Sequence, residues 1–245
     1  MRPVRVIAVG VTSASALMLA LLAGCGSQPA SPGAAPPASS RPAATATSAP
    51  VPVTGPSTPA PAHVVSSRVA YPWHWPNDLN RPGRVTHSNA VPPVPELVSI
   101  SVGNHPAAAG QRPFTRMSFT FTTAFPSYRF EWAALVSDGS GKAVPIRGTD
   151  TLKIVFTQAQ AHTADGTRST IVSQPARPIG YQSMTDYAQA GDFEGVLTYG
   201  IGATRVVLMS NPQTPIRAYE AETVIANGQH RYVVAIDIDA NGLGK

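Results

Sequence analysis

The 245-residue chain has 18 Lys and Arg against 13 Asp and Glu, a formal net charge of +5, 25 prolines and one cysteine. A single cysteine excludes an internal disulfide framework. The positive excess lies ahead of the C-terminal part: from Glu96 to Lys245 there are 12 basic and 12 acidic residues, so that part has no electrostatic footprint for a phosphate backbone, and nucleic acid is excluded as a partner.

The chain opens with Arg2 and Arg5, an apolar run from Val6 to Leu22, and then Leu22-Ala23-Gly24-Cys25. The run has the length of a secretory h-region, short for a spanning helix, and Gly10, Thr12, Ser13 and Ser15 dilute it. A positive start holds the amino terminus in the cytoplasm. Small residues before the cysteine suit a peptidase groove. The pattern predicts a lipoprotein signal peptide over residues 1–24 and a lipidated Cys25 carrying diacylglyceryl and palmitate-type chains. One acyl chain anchors only marginally, at about 0.8 kcal/mol per buried methylene, so more than one is needed for a firm hold. The expected location is extracytoplasmic, with the membrane as a partner through this anchor.

Residues 25–95 read as a tether. Sixteen of the 25 prolines fall between Gly26 and Pro95, and up to about Pro61 the stretch is nearly all Ala, Pro, Ser, Thr and Gly. Such a segment has too little apolar side chain to offset its ordering entropy, and proline favours extended polyproline II. Near its end, Tyr71-Pro72-Trp73-His74-Trp75-Pro76 concentrates aromatics over residues 71–76. Two readings stand: a stacking or docking platform, or an arm that packs on the folded part, since aromatic side chains bury large areas.

From residue 96 to 245 the pattern has period 2. Arg116-Met117-Ser118-Phe119-Thr120-Phe121-Thr122 alternates polar and apolar residues. Val98, Ile100 and Val102 do the same, as do Tyr128, Phe130 and Trp132, then Leu152, Ile154 and Phe156, then Tyr232, Val234, Ile236 and Ile238. Each is a strand with one face in a core. Turn residues separate them at Phe125-Pro126-Ser127, Asp138-Gly139-Ser140-Gly141, Arg147-Gly148-Thr149-Asp150 and Ala226-Asn227-Gly228. Many short strands at such spacing predict an all-β fold, an antiparallel β-sandwich or barrel, with one short helix placed over Tyr181 to Ala190.

Phe114-Thr115-Arg116-Met117-Ser118-Phe119, Phe125-Pro126-Ser127-Tyr128, Gly139-Ser140-Gly141 and above all Gly191-Asp192-Phe193-Glu194-Gly195-Val196-Leu197-Thr198-Tyr199-Gly200-Ile201-Gly202 resemble the AMIN-like domain of bacterial cell-envelope lipoproteins. The resemblance covers about Leu97 to Ile238. It departs from the family pattern at Thr115, where the family often has Asp, and in the loose match of the closing strand Arg231 to Asp237. It implies a β-sandwich related in name and proposed role to amidase N-terminal modules thought to attach proteins to peptidoglycan. On that basis the candidate ligand contacts are Arg116, Tyr128, Trp132, Glu194 and Tyr199.

Residues that suggest chemistry have simpler alternatives. Asp192 and Glu194 are two apart, so on a strand they would share a face; Arg116 and Arg205 are available to pair with them. Gly195, Gly200 and Gly202 fit bulges or close backbone approach, because no helix pattern follows them as a phosphate loop would need. Asp237-Ile238-Asp239-Ala240-Asn241-Gly242 opens like an EF-hand loop, but that loop needs a Glu six residues after its glycine, and the sequence ends at Lys245. The six histidines show no close metal-ligand spacing. No cofactor, metal or catalytic residue is assigned. The expected function is non-catalytic binding in the cell envelope, with peptidoglycan or a related wall polymer as ligand. The alternative is a lipoprotein that docks and regulates an envelope enzyme or transporter. The first predicts aromatics flanked by polar donors on one sheet face; the second predicts an apolar patch or an exposed edge strand.

Overall fold

The structure, a computed structural model, describes residues 62–204 and 214–241. Cys25, the signal and the tether up to residue 61 lie outside the described residues, as does Arg205.

Among the described residues there are ten strands: β1 (His63–His74), β2 (Arg84–Val85), β3 (Leu97–His105), β4 (Phe114–Phe121), β5 (Ser127–Trp132), β6 (Asp150–Thr157), β7 (Asp186–Phe193), β8 (Val196–Ala203), β9 (Ile216–Val224) and β10 (His230–Asp239). They form two five-stranded sheets, ordered β1-β9-β10-β4-β3 and β2-β5-β6-β8-β7. Every ladder between them is antiparallel. The fold is the all-β sandwich that the alternation predicts.

The period-2 residues point where the pattern places them. Met117, Phe119 and Phe121 of the first sheet meet Ile154, Phe156 and Tyr199 of the second in one core, all essentially free of solvent. Phe119 lies 5.1 Å from Phe156 and 5.4 Å from Tyr199 between ring centroids, within the range where tilted aromatic pairs attract. β8 is interior in its sheet and buried on both faces. Its outer face is covered by the segment after β5: Leu135, with Val144 and Ile146, packs on Ala188 and Ala190 of β7. Glycines make that cover possible. A Cβ on Gly200 would come within 2.5 Å of Leu135, and one on Gly202 would collide with the Arg147 carbonyl.

One inward-facing charge interrupts the core. Glu220 of β9 is 1% exposed. Its carboxylate accepts hydrogen bonds from Tyr128 Oη at 3.0 Å, His87 Nε2 at 2.8 Å and Arg68 Nε at 2.8 Å. A buried carboxylate is tolerated only when paired and hydrogen-bonded in this way. Tyr128 is on the second sheet and Glu220 on the first, so the network ties the sheets together.

Three expectations change. The sandwich does not begin at residue 96. β1 pairs along β9 with bulges, from His63↔Val224 to His74↔Ile216, and Tyr71 is buried in the core. The sequence hides this strand because an edge strand exposed over His63 to Val69 has no alternating core face. The helix placed over Tyr181 to Ala190 is absent: from Asp186 the chain is β7, with Ala188 and Ala190 packed under Leu135 while Gln189 between them is exposed. Asp192 and Glu194 do not share a strand face. Glu194 and Gly195, with φ of 49° and 73°, form the tight turn between β7 and β8, the backbone of a type I′ hairpin.

Candidate functional site

On the outer face of the first sheet, the ladders put three charges in one row. Arg217 of β9 stands opposite Asp237 of β10, and Asp237 stands opposite Arg116 of β4. Cross-strand neighbours lie about 5 Å apart, so both guanidiniums reach the one carboxylate. Arg116 donates from Nε to Oδ1 at 2.6 Å and from Nη2 to Oδ2 at 3.0 Å; Arg217 donates from Nε and Nη2 to Oδ2 at 2.8 and 2.6 Å. Asp237 is fully buried beneath them. Its desolvation is offset by four charge-assisted hydrogen bonds. The bonds to Asp237 outweigh burial and raise the Arg116 pKa above its ordinary value.

Aromatic rings flank this row. Arg217 lies over Trp73 and Phe114, at 4.9 and 5.0 Å from the ring centroids; Arg116 lies over Phe114 and Tyr219, at 5.3 and 5.1 Å. His105 stacks on Phe114 at 4.4 Å with planes 12° apart. Arg112 also lies over Trp73, at 5.1 Å, and is paired with Asp239 at 2.7 Å. Flat guanidiniums stack on rings while their edges stay free to donate.

This face has hydrogen-bond donors to spare. Two arginines share one acid, so the row has an excess positive charge. Each guanidinium has five N–H donors, and here each spends two on Asp237. The arginine side chains remain 24% and 22% exposed. The remaining donors suit a carboxylate or a hydroxyl-rich ligand lying across the sheet.

Of the five candidate contacts, only Arg116 belongs to this face. Tyr128 and Tyr199 are enclosed and offer no surface to a ligand; burial raises both hydroxyl pKa values, and Tyr199 donates to Gln189 Oε1 at 3.2 Å. Trp132, at the end of β5, is half-buried and donates from Nε1 to the Thr214 carbonyl at 3.0 Å. Glu194 is exposed at the β7–β8 turn. Its neighbour Asp192 accepts from the backbone N–H of Ala161 and pairs with His162 Nδ1 at 2.8 Å, which fastens the segment after β6. Asp237, which opens the EF-hand-like stretch, is committed to the two arginines. Among the described residues no group of three or more His, Cys, Asp or Glu is placed to hold a metal ion. Trp73 comes from the aromatic stretch that offered a stacking platform, whereas Phe114, Tyr219, Arg217 and Asp237 are not among the ligand contacts expected from sequence. The outward position of Asp237 was legible from its strand's alternation; the register that sets it between two arginines was not.

Fold and face together define an antiparallel β-sandwich domain that presents a stacked arginine–aromatic surface on one sheet. The model of the AMIN-like domain family matches residues 95–217, half of the chain, and the protein belongs to that family. Such domains are associated with the cell envelope, and with peptidoglycan or envelope-protein interactions there, which suggests an extracytoplasmic place of work. No curated protein matches the chain, and no solved structure does.

Proposed function

We propose that this protein is a non-catalytic binding module of the cell envelope, anchored through acyl chains on Cys25, that recognises peptidoglycan or a related wall polymer. The observation that carries the reading is the Arg217–Asp237–Arg116 row with its flanking rings. A wall glycan with peptide stems offers hydroxyls, carboxylates and apolar ring faces. Those groups match free guanidinium edges beside aromatic side chains.

Two measurements test it. The chain from residue 26 onward should sediment with purified sacculi, and Arg217→Gln should cut the bound fraction several-fold while circular dichroism stays that of a folded sandwich. Equal retention of a folded variant removes this face from the proposal. In cells, a labelled fatty acid should be incorporated into the wild type and not into Cys25→Ala; an unlabelled wild type ends the anchor reading.

A specific observation favours the alternative, docking to an envelope protein. β1 is an edge of its sheet, and Val64, Val65 and Val69 on it are 60%, 50% and 50% exposed. An exposed, β-branched edge is a template for strand addition by a partner. Crosslinking from position 65 to an envelope protein, together with no sacculus retention, would select this reading.

A further inference from the structure

The outer face of the second sheet carries a different arrangement. Arg84 of β2 stands directly opposite Arg129 of β5, and Lys153 of β6 opposite Glu131. Like charges directly opposite in a ladder oppose pairing. Arg68, Arg112, Arg116, Arg177 and Arg217 each have a carboxylate partner. Arg84 and Arg129 have none among the described residues. The ladder thus sets two arginines opposite each other, and neither is held by an acid.

They stand in the middle of a trough. On one side the chain after β1 forms a wall with Pro76, Leu79 and Pro82, and a depression of about 350 Å³ runs under it to Lys153 and Val155. Leu79 is 96% exposed. Past the two arginines a second depression of about 380 Å³ continues along Thr86, Ser127 and Thr157. Arg84, Arg129 and Val155 line both depressions, so the two adjoin at these residues. One half therefore combines the apolar wall with Asn77, Asp78, Glu131 and Lys153, the centre has two arginines, and the other half carries hydroxyls.

We propose that this trough binds a linear anionic polysaccharide or polyol chain, with one oxyanion seated between Arg84 and Arg129. Paired guanidiniums recognise a carboxylate or phosphate with directed hydrogen bonds. The apolar wall suits a sugar or polyol face, and the hydroxyls suit the continuing chain. A chain can enter a concave trough where a bilayer surface cannot. The site is separate from the arginine–aromatic face and does not depend on what that face binds.

The test is calorimetric titration of the chain from residue 26 onward with two probes: an oligogalacturonate, whose anions are carboxylates, and a poly(glycerol phosphate), whose anions are phosphodiesters. At least one should bind, more weakly as salt rises. Arg84→Gln and Arg129→Gln should each weaken it roughly 10-fold, and the double variant more, while Arg217→Gln leaves it unchanged. Removing one of two opposed like charges should leave the melting temperature unchanged or raise it. The probe that binds names the oxyanion. The proposal is overturned if neither binds the wild type, if the double variant binds as the wild type does, if the single variants melt earlier, or if vesicles of anionic phospholipid bind through these arginines while both polymers do not.

Discussion

The Tyr71 ring meets Phe130 edge-on at 5.0 Å between centroids, and its hydroxyl donates to the Arg81 carbonyl at 3.0 Å. Residues that read as tether by composition are thereby part of the core. A chain starting at Val91 loses β1, β2 and this ring, and it should fail to melt cooperatively, whereas one starting at residue 62 should melt in a single transition. In the longer chain Tyr71→Ala should cost about 3 kcal/mol or more, the usual scale for removing a buried aromatic. Calorimetry of the three proteins checks both statements.

Glu220 should be highly sensitive to substitution. Replacing it with alanine leaves Tyr128 and His87 without their acceptor in a closed space and strands the Arg68 guanidinium at the rim. Breaking such a buried pair costs about 3–5 kcal/mol. Glu220→Gln keeps an acceptor oxygen and should cost less. Urea denaturation of both variants gives the two values, and a cost below that of an ordinary surface substitution for the alanine variant would contradict the network.

Glu194 should behave in the opposite way. It is an exposed residue with φ of 49° in a two-residue hairpin turn whose second residue is Gly195. That turn favours Asn-Gly. Glu194→Asn should therefore raise stability by roughly 0.5–1 kcal/mol, in the range of other backbone-compatible turn substitutions, and Glu194→Gln should change little. Thermal melts decide it: a loss of stability in Glu194→Gln would mean that the carboxylate has a partner the turn geometry does not account for.

Asp186 should make stability depend on acid. It is 4% exposed. Burial alone would raise its pKa, but hydrogen bonds from Arg177 and from the Arg147 and Tyr187 N–H groups outweigh burial and hold it below the ordinary 3.8. A carboxyl depressed in the native state contributes stability that is fully present above its unfolded pKa and is lost as pH falls through its native pKa. Asp186→Asn should thus cost roughly 1–3 kcal/mol at neutral pH. The gap between wild type and variant should close as pH falls below 3.8. Melting curves of the pair across that range give the sign directly.

Much of the fold is local and was readable. Alternation along Arg116 to Phe121 and Tyr232 to Ile238 told which side chains enter the core, because successive residues of any strand point to opposite faces. The Asn227-Gly228 turn was readable for a similar reason, since Gly228 takes the positive φ that glycine adopts freely. The Gly191 to Gly202 stretch, by contrast, is two strands and not one, because Glu194 and Gly195 turn the chain between β7 and β8. Register is different, because it joins residues far apart in sequence. No local pattern says that Arg217 and Arg116 stand on either side of Asp237, or that Arg84 stands opposite Arg129. Trp73 reaches its arginine because β1, bulged and mostly exposed, closes one edge of the first sheet. Backbone hydrogen bonds to β9 hold that strand, and every residue type but proline can both donate and accept them. Sequence pattern determined the sandwich and its two faces; strand pairing alone decided which charges meet on those faces, and so where a ligand can be held.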